Sequence, residues 1–500
     1  MHAAVTTPTP GLTRSAASFA PWQRGLLSLL WLLSLAVTSH AAALAPDRAL
    51  SAELAEAVAT AKLGDGVGIA IVDLESGRTV YSQHPQEPRN PASNMKVLTA
   101  AVALLQLGAD HRFRTGLYGR QNGEEITGGL YLRGMGDPTL DTADLLALAG
   151  QLAMRGIRQV DRLIVDGSYF DDAYLPPAFE QQPRESAAFR AAVAALSVNR
   201  SAFSFRVTPG AGEGALGQVY LDAPAYFDLD NQVKTTPRGR LNVIAIQEDG
   251  DERMVLHLRG AIPKGISGVS YRRRVASPLH YAGHVMVGAL SQVGIEVAEP
   301  LQVGKTASGT SLLAQHISRP LSQVLHELGK YSDNFVAEML LKTLGAEEVA
   351  IPGTSADGVQ VIFDQLQALG VDTRGMALVN GSGLFDGNRI TPQQVSQVLL
   401  ALAQRNDCFP EFLSQLAVAG KDGTLTGRLA DLPADTVVRA KTGTLADVIG
   451  LSGYVMPHVG RGGFAFSFLA NGIRGRQGEA RALSDRLVSI LARRLSQSAR

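Results

Sequence analysis

The chain has 500 residues, 45% hydrophobic and 18% charged, with a formal net charge of +0. That length has room for roughly two to four domains, and the balanced charge gives no reason to expect a nucleic-acid partner. A single cysteine, Cys408, excludes an internal disulfide and a cysteine–histidine metal framework, so neither metal nor cofactor is expected.

Residues 1–43 read as an export signal. Arg14 and Arg24 precede the apolar run Gly25–Val37, and the small residues Ser39, Ala41, Ala42 and Ala43 follow. The run is too short to cross a bilayer comfortably, and no other stretch approaches ~18 consecutive apolar residues. The expectation is a cleaved, periplasmic protein that starts between Ala42 and Pro46, with no stable membrane span in the mature chain. Export without disulfides fits a bacterial periplasm or wall space.

Residues 47–62 have helical spacing. Strands at 66–73 and 78–81 flank the turn Glu75–Gly77, forming a hairpin. Val97–Leu105 is apolar on nearly every face, which predicts a helix inside a large core, stopped at Gly108. Strand-like pieces at 115–118 and 129–133, a helix at 142–155 and a strand at 160–166 suggest a small α/β module. Residues 203–262 look mostly β. Helices return at 279–293, 321–328, 335–344 and 392–405. Three strands, 436–444, 449–455 and 463–470, and an amphipathic helix at 479–495 close the chain. That helix is expected to pack on the adjacent sheet, not on a membrane. The fold class is α/β in the broad sense, α+β more closely.

The stretch Pro91–Ala100 is the chemical focus. Ser93 and Lys96 lie three residues apart, on one face of a helix start. A serine hydroxyl needs a base within hydrogen-bond reach. Lysine serves only when neutral, and burial, the helix N-terminus or a second cation would depress its pKa. Tyr331-Ser332-Asp333-Asn334 precedes another apolar helix, where Asp333 or Asn334 would also serve as a plain N-cap. Arg439-Ala440-Lys441-Thr442-Gly443-Thr444 lies in a strand. A glycine inside a strand often marks close approach of another backbone, and a strand edge can dock an extended peptide.

Ser-x-x-Lys, Ser-Asp-Asn and Lys-Thr-Gly in that order are the signature of penicillin-binding proteins and class A β-lactamases. Competing signatures fail. No Gly-x-Ser-x-Gly or His-Glu-x-x-His occurs, and Gly304-Lys305-Thr306 has Glu299 where a phosphate loop needs its first glycine. Ser93 and Ser332 stand about 240 residues apart, which leaves space for an inserted domain after the nucleophile helix. The insert is expected over 110–271 as two modules: 110–125 with 196–271, β-rich, and 126–195, small α/β. The peptidase domain would then be 46–109 with 272–500.

This arrangement resembles the class C low-molecular-mass penicillin-binding proteins, the D-alanyl-D-alanine carboxypeptidase/endopeptidase family. Arg133–Pro138, Ala195–Asn199, Asn380–Gly383 and Gly420–Leu425 resemble it too, and the likeness covers about 45–500. It implies a β-lactamase/transpeptidase-like domain whose antiparallel sheet is flanked by helices. It also implies roles. Ser93 is the nucleophile and Lys96 the general base. Ser332 relays a proton to the leaving nitrogen. Asn334 holds the substrate backbone and steadies Lys96. Lys441, with Thr442, Gly443 and Thr444, receives the terminal carboxylate, and the backbone N–H groups of Ser93 and Thr444 form the oxyanion hole. Strand alternation alone sends Lys441 and Thr442 to opposite faces, so the part given to Thr442 rests on the resemblance. The implied partners are peptidoglycan stem peptides, with β-lactams as inhibitors. A β-lactamase and a catalytically inactive wall-binding protein are the alternatives.

Two departures stand out. Asn380 replaces an aspartate common in the family. Phe179–Glu185 lacks the usual tryptophan and aspartate, leaving Glu180 or Glu185 as the available carboxylates and side-chain specificity open.

Overall fold

The computed structural model describes residues 47–250 and 252–498; the expected export signal lies outside them. Helix α1 (Arg48–Ala61) leads into the hairpin of β1 (Val67–Asp73) and β2 (Thr79–Gln83). A single 3-10 turn, Ala92–Asn94, runs straight into α2 (Met95–Leu107). Every residue of α2 from Met95 to Leu104 is buried, as its unbroken apolar run requires. Gly108 ends the helix at φ +82, backbone that glycine adopts at little cost.

Next come β3 (Arg114–Asn122), β4 (Glu125–Gly134), α3 (Thr142–Met154) and β5 (Gln159–Asp166). Seven strands follow: β6 (Ala202–Thr208), β7 (Gln218–Leu221), β8 (Phe227–Asn231), β9 (Lys234–Thr236), β10 (Asn242–Asp249), β11 (Met254–Pro263) and β12 (Val269–Arg274). Helix α4 (Pro278–Gln292), β13 (Glu296–Val303) and β14 (Ser311–Ile317) complete this part. Its sheets run β13-β5-β4-β3-β14, β12-β6-β7 and β10-β11-β8, with β9 paired to β11.

These sheets join residues 278–317 to the strands that precede them. Strand β13 pairs in parallel with β5, and β14 pairs antiparallel with β3. Leu279, Leu290 and Leu313 share one apolar core with Leu117, Leu163 and Phe205. We propose that the inserted region spans 114–317; residues 114–122 pair with β4. Strand β13 exposes most of its positions and β14 is partly exposed, and neither carries a clean alternation to read. The insert's two ends meet. Leu321 N–H donates to His111 O at 2.8 Å and Ser318 N–H to Phe113 O at 3.0 Å.

The chain returns through α5 (Leu321–Gly329), α6 (Asn334–Glu348), α7 (Ser355–Ala368), α8 (Pro392–Ala403) and α9 (Phe409–Gln415). It ends with β15 (Ala417–Val418), β16 (Thr436–Leu445), β17 (Val448–Pro457), β18 (Phe464–Asn471) and α10 (Gln477–Ser498). The sheet order is β15-β16-β17-β18-β1-β2, antiparallel throughout. On one face, Leu54 of α1 and Leu483, Leu487 and Leu491 of α10 pack against Ile69, Leu451 and Phe466. On the other, Leu98 and Val102 of α2 join Leu340, Leu399 and Tyr454. Each such side chain is worth about 1.5–3 kcal/mol of burial. The expected antiparallel sheet flanked by helices is thus present, and α2 lies at the centre of the helical layer.

Candidate active site

Three distant segments converge beside β16. The first is the turn at the head of α2. Ala92 enters it at φ +47, a conformation that non-glycine residues rarely adopt. Ser93 is half-buried there. One turn on, Lys96 is wholly buried. Its Nζ lies 3.1 Å from Ser93 Oγ, 2.8 Å from Asn334 Oδ1 and 2.7 Å from the Ser382 carbonyl oxygen. Burial pulls the amine down to about 7, opposed by the carboxylates of Glu338 and Asp333. An amine near 7 is partly unprotonated at neutral pH, which is what a general base requires.

The second segment is the loop before α6. Ser332 sits at φ +60, a left-handed strain that must be held by its surroundings. Asp333 caps α6 by accepting from Val336 N–H at 3.2 Å. Arg200 of the insert donates to Asp333 Oδ2 at 2.8 Å and pairs with Glu327 at 3.1 Å. Asn334 Nδ2 donates to the Phe189 carbonyl at 3.1 Å. The insert thus grips the Ser332 loop at two points.

The third segment is β16. Lys441 is completely buried, and its Nζ donates to Ser332 Oγ and to the Thr442 carbonyl, both at 2.8 Å. Burial, and then the charge of Lys96, push its pKa well below the ordinary lysine value. None of its hydrogen-bond partners among the described residues is a carboxylate. Gly443 lies flat against the Ser93 turn. A Cβ there would stand 2.9 Å from the Pro91 carbonyl and 3.2 Å from Ala92 Cβ, so the glycine reading is met by close backbone approach. Thr444 is exposed just beyond it. Thr442 turns away from Lys441, its hydroxyl donating to Thr424 Oγ1 at 2.8 Å.

A family model described as D-Ala-D-Ala carboxypeptidase 3 (S13) matches residues 50–494. The chain belongs to that family. By that membership this S13 chain is a serine-type D-alanyl-D-alanine carboxypeptidase, a hydrolase. It is 36% identical over 428 residues to the D-alanyl-D-alanine carboxypeptidase of Actinomadura sp. (strain R39), covering 82% of this chain and 78% of that protein. Its fold is similar to the crystal structure of penicillin binding protein 4 (dacB) from Haemophilus influenzae, with a TM-score of 0.74 and 23% identity. That match covers 87% of this chain and 99% of the other. The same H. influenzae protein complexed with a β-lactam superposes with a TM-score of 0.69.

Within the S13 chain, direct hydrogen bonds link Lys96 to Ser93 and Asn334, and separately Lys441 to Ser332, and Gly443 lies against the Ser93 turn. The Asn380–Gly383 segment lies under it. Asn380 Nδ2 donates to the carbonyls of Pro177 and Leu384 at 3.0 and 3.2 Å, while its Oδ1 accepts from Gly383 N–H at 2.9 Å. An amide suits that site, because an aspartate would aim a carboxylate oxygen at two carbonyls. Glu185 accepts from the Ala187 N–H at 2.8 Å, and Glu180 is exposed on a 3-10 turn.

Sequence reasoning missed Glu338 and Arg200. A trace of Glu338 was available: it is the charged residue four positions after Asn334 in an otherwise apolar helical run, on the same helix face. For Arg200 no local signal existed, since its partners lie more than a hundred positions away. Among the described residues no group of three His, Cys, Asp or Glu is placed to hold a metal ion, and no helix is long and apolar enough to cross a membrane.

Proposed function

We propose that the protein trims peptidoglycan stem peptides through an acyl-enzyme on Ser93, in the periplasm after removal of its export signal. The observation that carries this reading is the buried Lys96 amine, 3.1 Å from Ser93 Oγ and with a pKa near 7. Its other two partners, Asn334 Oδ1 and the Ser382 carbonyl, only accept. A neutral amine spends its two hydrogens on them and turns its lone pair to the Ser93 hydroxyl. The deprotonated base therefore has one orientation, aimed at the nucleophile.

Ser93 Oγ then attacks the carbonyl of the penultimate D-alanine, its proton passing to Lys96. The N–H groups of Ser93 and Thr444 receive the oxyanion; one such donor is worth about 3 kcal/mol of barrier. The carbon–nitrogen bond breaks as Ser332, held by Lys441, relays to the leaving amine the proton that Lys96 took from Ser93, which leaves Lys96 neutral and Ser332 a hydroxyl again. D-Alanine departs and water releases the acyl group. Asn334 holds the substrate backbone. Lys441, behind Thr442, Gly443 and Thr444, meets the terminal carboxylate. A buried amine without a carboxylate partner favours an incoming anion. A leaving amine that belongs to a diaminoacid cross-bridge would make the same chemistry endopeptidase action. β-Lactams enter as mimics of the D-alanyl-D-alanine end.

The test uses a labelled penicillin and a D-alanyl-D-alanine peptide. A stable adduct on Ser93, and release of D-alanine that disappears in Ser93→Ala, support the reading. Rapid turnover of the penicillin would make the protein a β-lactamase. Absence of both adduct and D-alanine release would make it a wall-binding protein without catalysis.

A further inference from the structure

Glu338 is 1% exposed in the middle of α6 and has no part in the chemistry above. Its Oε1 accepts from Ser382 N–H at 2.8 Å and its Oε2 from Gly381 N–H at 3.1 Å. The carbonyls of those two residues point the opposite way, onto α2. Gly381 O accepts from Thr99 Oγ1 at 2.8 Å, and Ser382 O from Lys96 Nζ at 2.7 Å. One carboxylate therefore fixes two successive residues whose carbonyls grip the helix that carries the base. The segment has no slack. A Cβ on Gly381 would stand 2.8 Å from the Ala337 carbonyl, and one on Gly383 1.8 Å from the Ala92 carbonyl.

The charges around the cleft single out the same residue. Lys96 of α2 and Lys441 of β16 are both fully buried amines. The carboxylates that bear on Lys96 are Glu338 and Asp333, and Asp333 is already engaged by Arg200. Burial holds the Glu338 carboxyl above the usual carboxylate range, opposed in part by hydrogen bonds from Ser382 and Gly381 and by the charge of Lys96. Two backbone donors suit a carboxylate. A glutamine in the same place would turn its NH2 toward one of two N–H groups.

We infer that Glu338 is the positioning residue of the general base: ionised, it locks the Gly381–Ser382 peptides so that the Ser382 carbonyl orients the Lys96 amine, and it supplies negative charge toward that buried amine. The inference rests on the Ser93–Lys96 reading. A group that served only to pack α6 would leave the pH dependence of acylation where it was; this one sets it.

The experiment measures the second-order rate of acylation by a fluorescent penicillin against pH, in wild type, Glu338→Gln and Glu338→Asp. With the charge removed, Lys96 loses a proton more readily. Glu338→Gln is expected to acylate about tenfold more slowly, with its acid limb moved down by roughly half a pH unit or more. Glu338→Asp keeps the charge, so its limb should stay at the wild-type position while the rate falls. A Glu338→Gln profile that matches the wild-type limb overturns the inference. If Glu338→Gln does not fold, the double variant Lys96→Met/Glu338→Gln decides, because removing both charges should restore melting that removing one abolished. A double variant no more stable than the single also overturns it. A wild type that forms no adduct dependent on Ser93 sinks the underlying reading instead, so the two failures are distinguishable.

Discussion

Gly443 of β16 lies against the side chain of Asn94, so that a methyl built on its Cα would stand 2.6 Å from Asn94 Nδ2. Asn94 is itself fully buried between Ser93 and α2, and Gly450 of β17 presses on the same amide. Strand and nucleophile turn are thus in contact with no space for a side chain. Gly443→Ala must push them apart. Acylation by a labelled penicillin should fall at least about tenfold, since small misplacements of reacting groups are costly, with a lower melting temperature. Acylation at the wild-type rate would mean that the strand yields without consequence.

As the proposed base, Lys96 gives the reaction a pH dependence of definite sign. Its pKa, brought down to about 7 mainly by burial, leaves the amine protonated and inert below that pH. Acylation of the wild type should therefore drop about tenfold for each pH unit on the acid side of the limb and level off above it. Stopped-flow acylation between pH 5 and 9 measures the limb. A midpoint near the ordinary lysine value would contradict the assigned base.

Lys441 is the fully buried amine proposed to meet the substrate carboxylate. Lys441→Met keeps the volume and removes the amine. The wild type should prefer a peptide ending in free D-alanine over its carboxamide, and the variant should lose most of that preference. We expect a loss of about 100-fold in kcat/KM for the free acid, in the range for an unpaired charge. Equal losses on both peptides would assign Lys441 to Ser332 alone.

Arg200 brings a cation from the insert to Asp333 and Glu327. Arg200→Ala takes from Asp333 its partner in the insert, beside a strained Ser332, while Glu327 keeps Arg319 at 3.1 Å. We expect kcat to fall roughly tenfold and melting to drop by about 2–4 °C, with partial recovery in Arg200→Lys. Unchanged turnover would show that the loop holds its shape without the insert.

Asn380→Asp tests why an amide stands where relatives often carry an acid. The new oxygen would face the carbonyls that Nδ2 now serves. A destabilisation of about 1–3 kcal/mol is expected, read from denaturant midpoints. A neutral result would show that the segment rearranges.

The sequence disclosed which short segments come together better than it disclosed the architecture. Ser93, Lys96, Ser332 and Lys441 were legible because each lies in a short motif at an element boundary. The burial of α2 was legible from its apolar run. What could not be read was pairing between distant segments. Strands β13 and β14 have apolar residues but no clean alternation, so their pairing with β5 and β3 could not be read. Helix α7, with its side-chain cap at Thr354, had the signals of a helix and was passed over. The contacts of Arg200 and Glu338 depend on three-dimensional neighbours that no local pattern encodes. The expectation for Thr442 under strict alternation, a face opposite to that of Lys441, agrees with its turn toward Thr424.

The hydrogen bonds that join His111 to Leu321 and Phe113 to Ser318 make the two hundred residues between them a side branch. Outer strands of that branch can lengthen, shorten or acquire new surfaces without altering the path from nucleophile helix to catalytic loop. Its inner lip, where Phe189 and Arg200 reach back to Asn334 and Asp333, has no such freedom. One appendage therefore carries two histories: a periphery open to variation, and a rim bound to the pace of the reaction it borders.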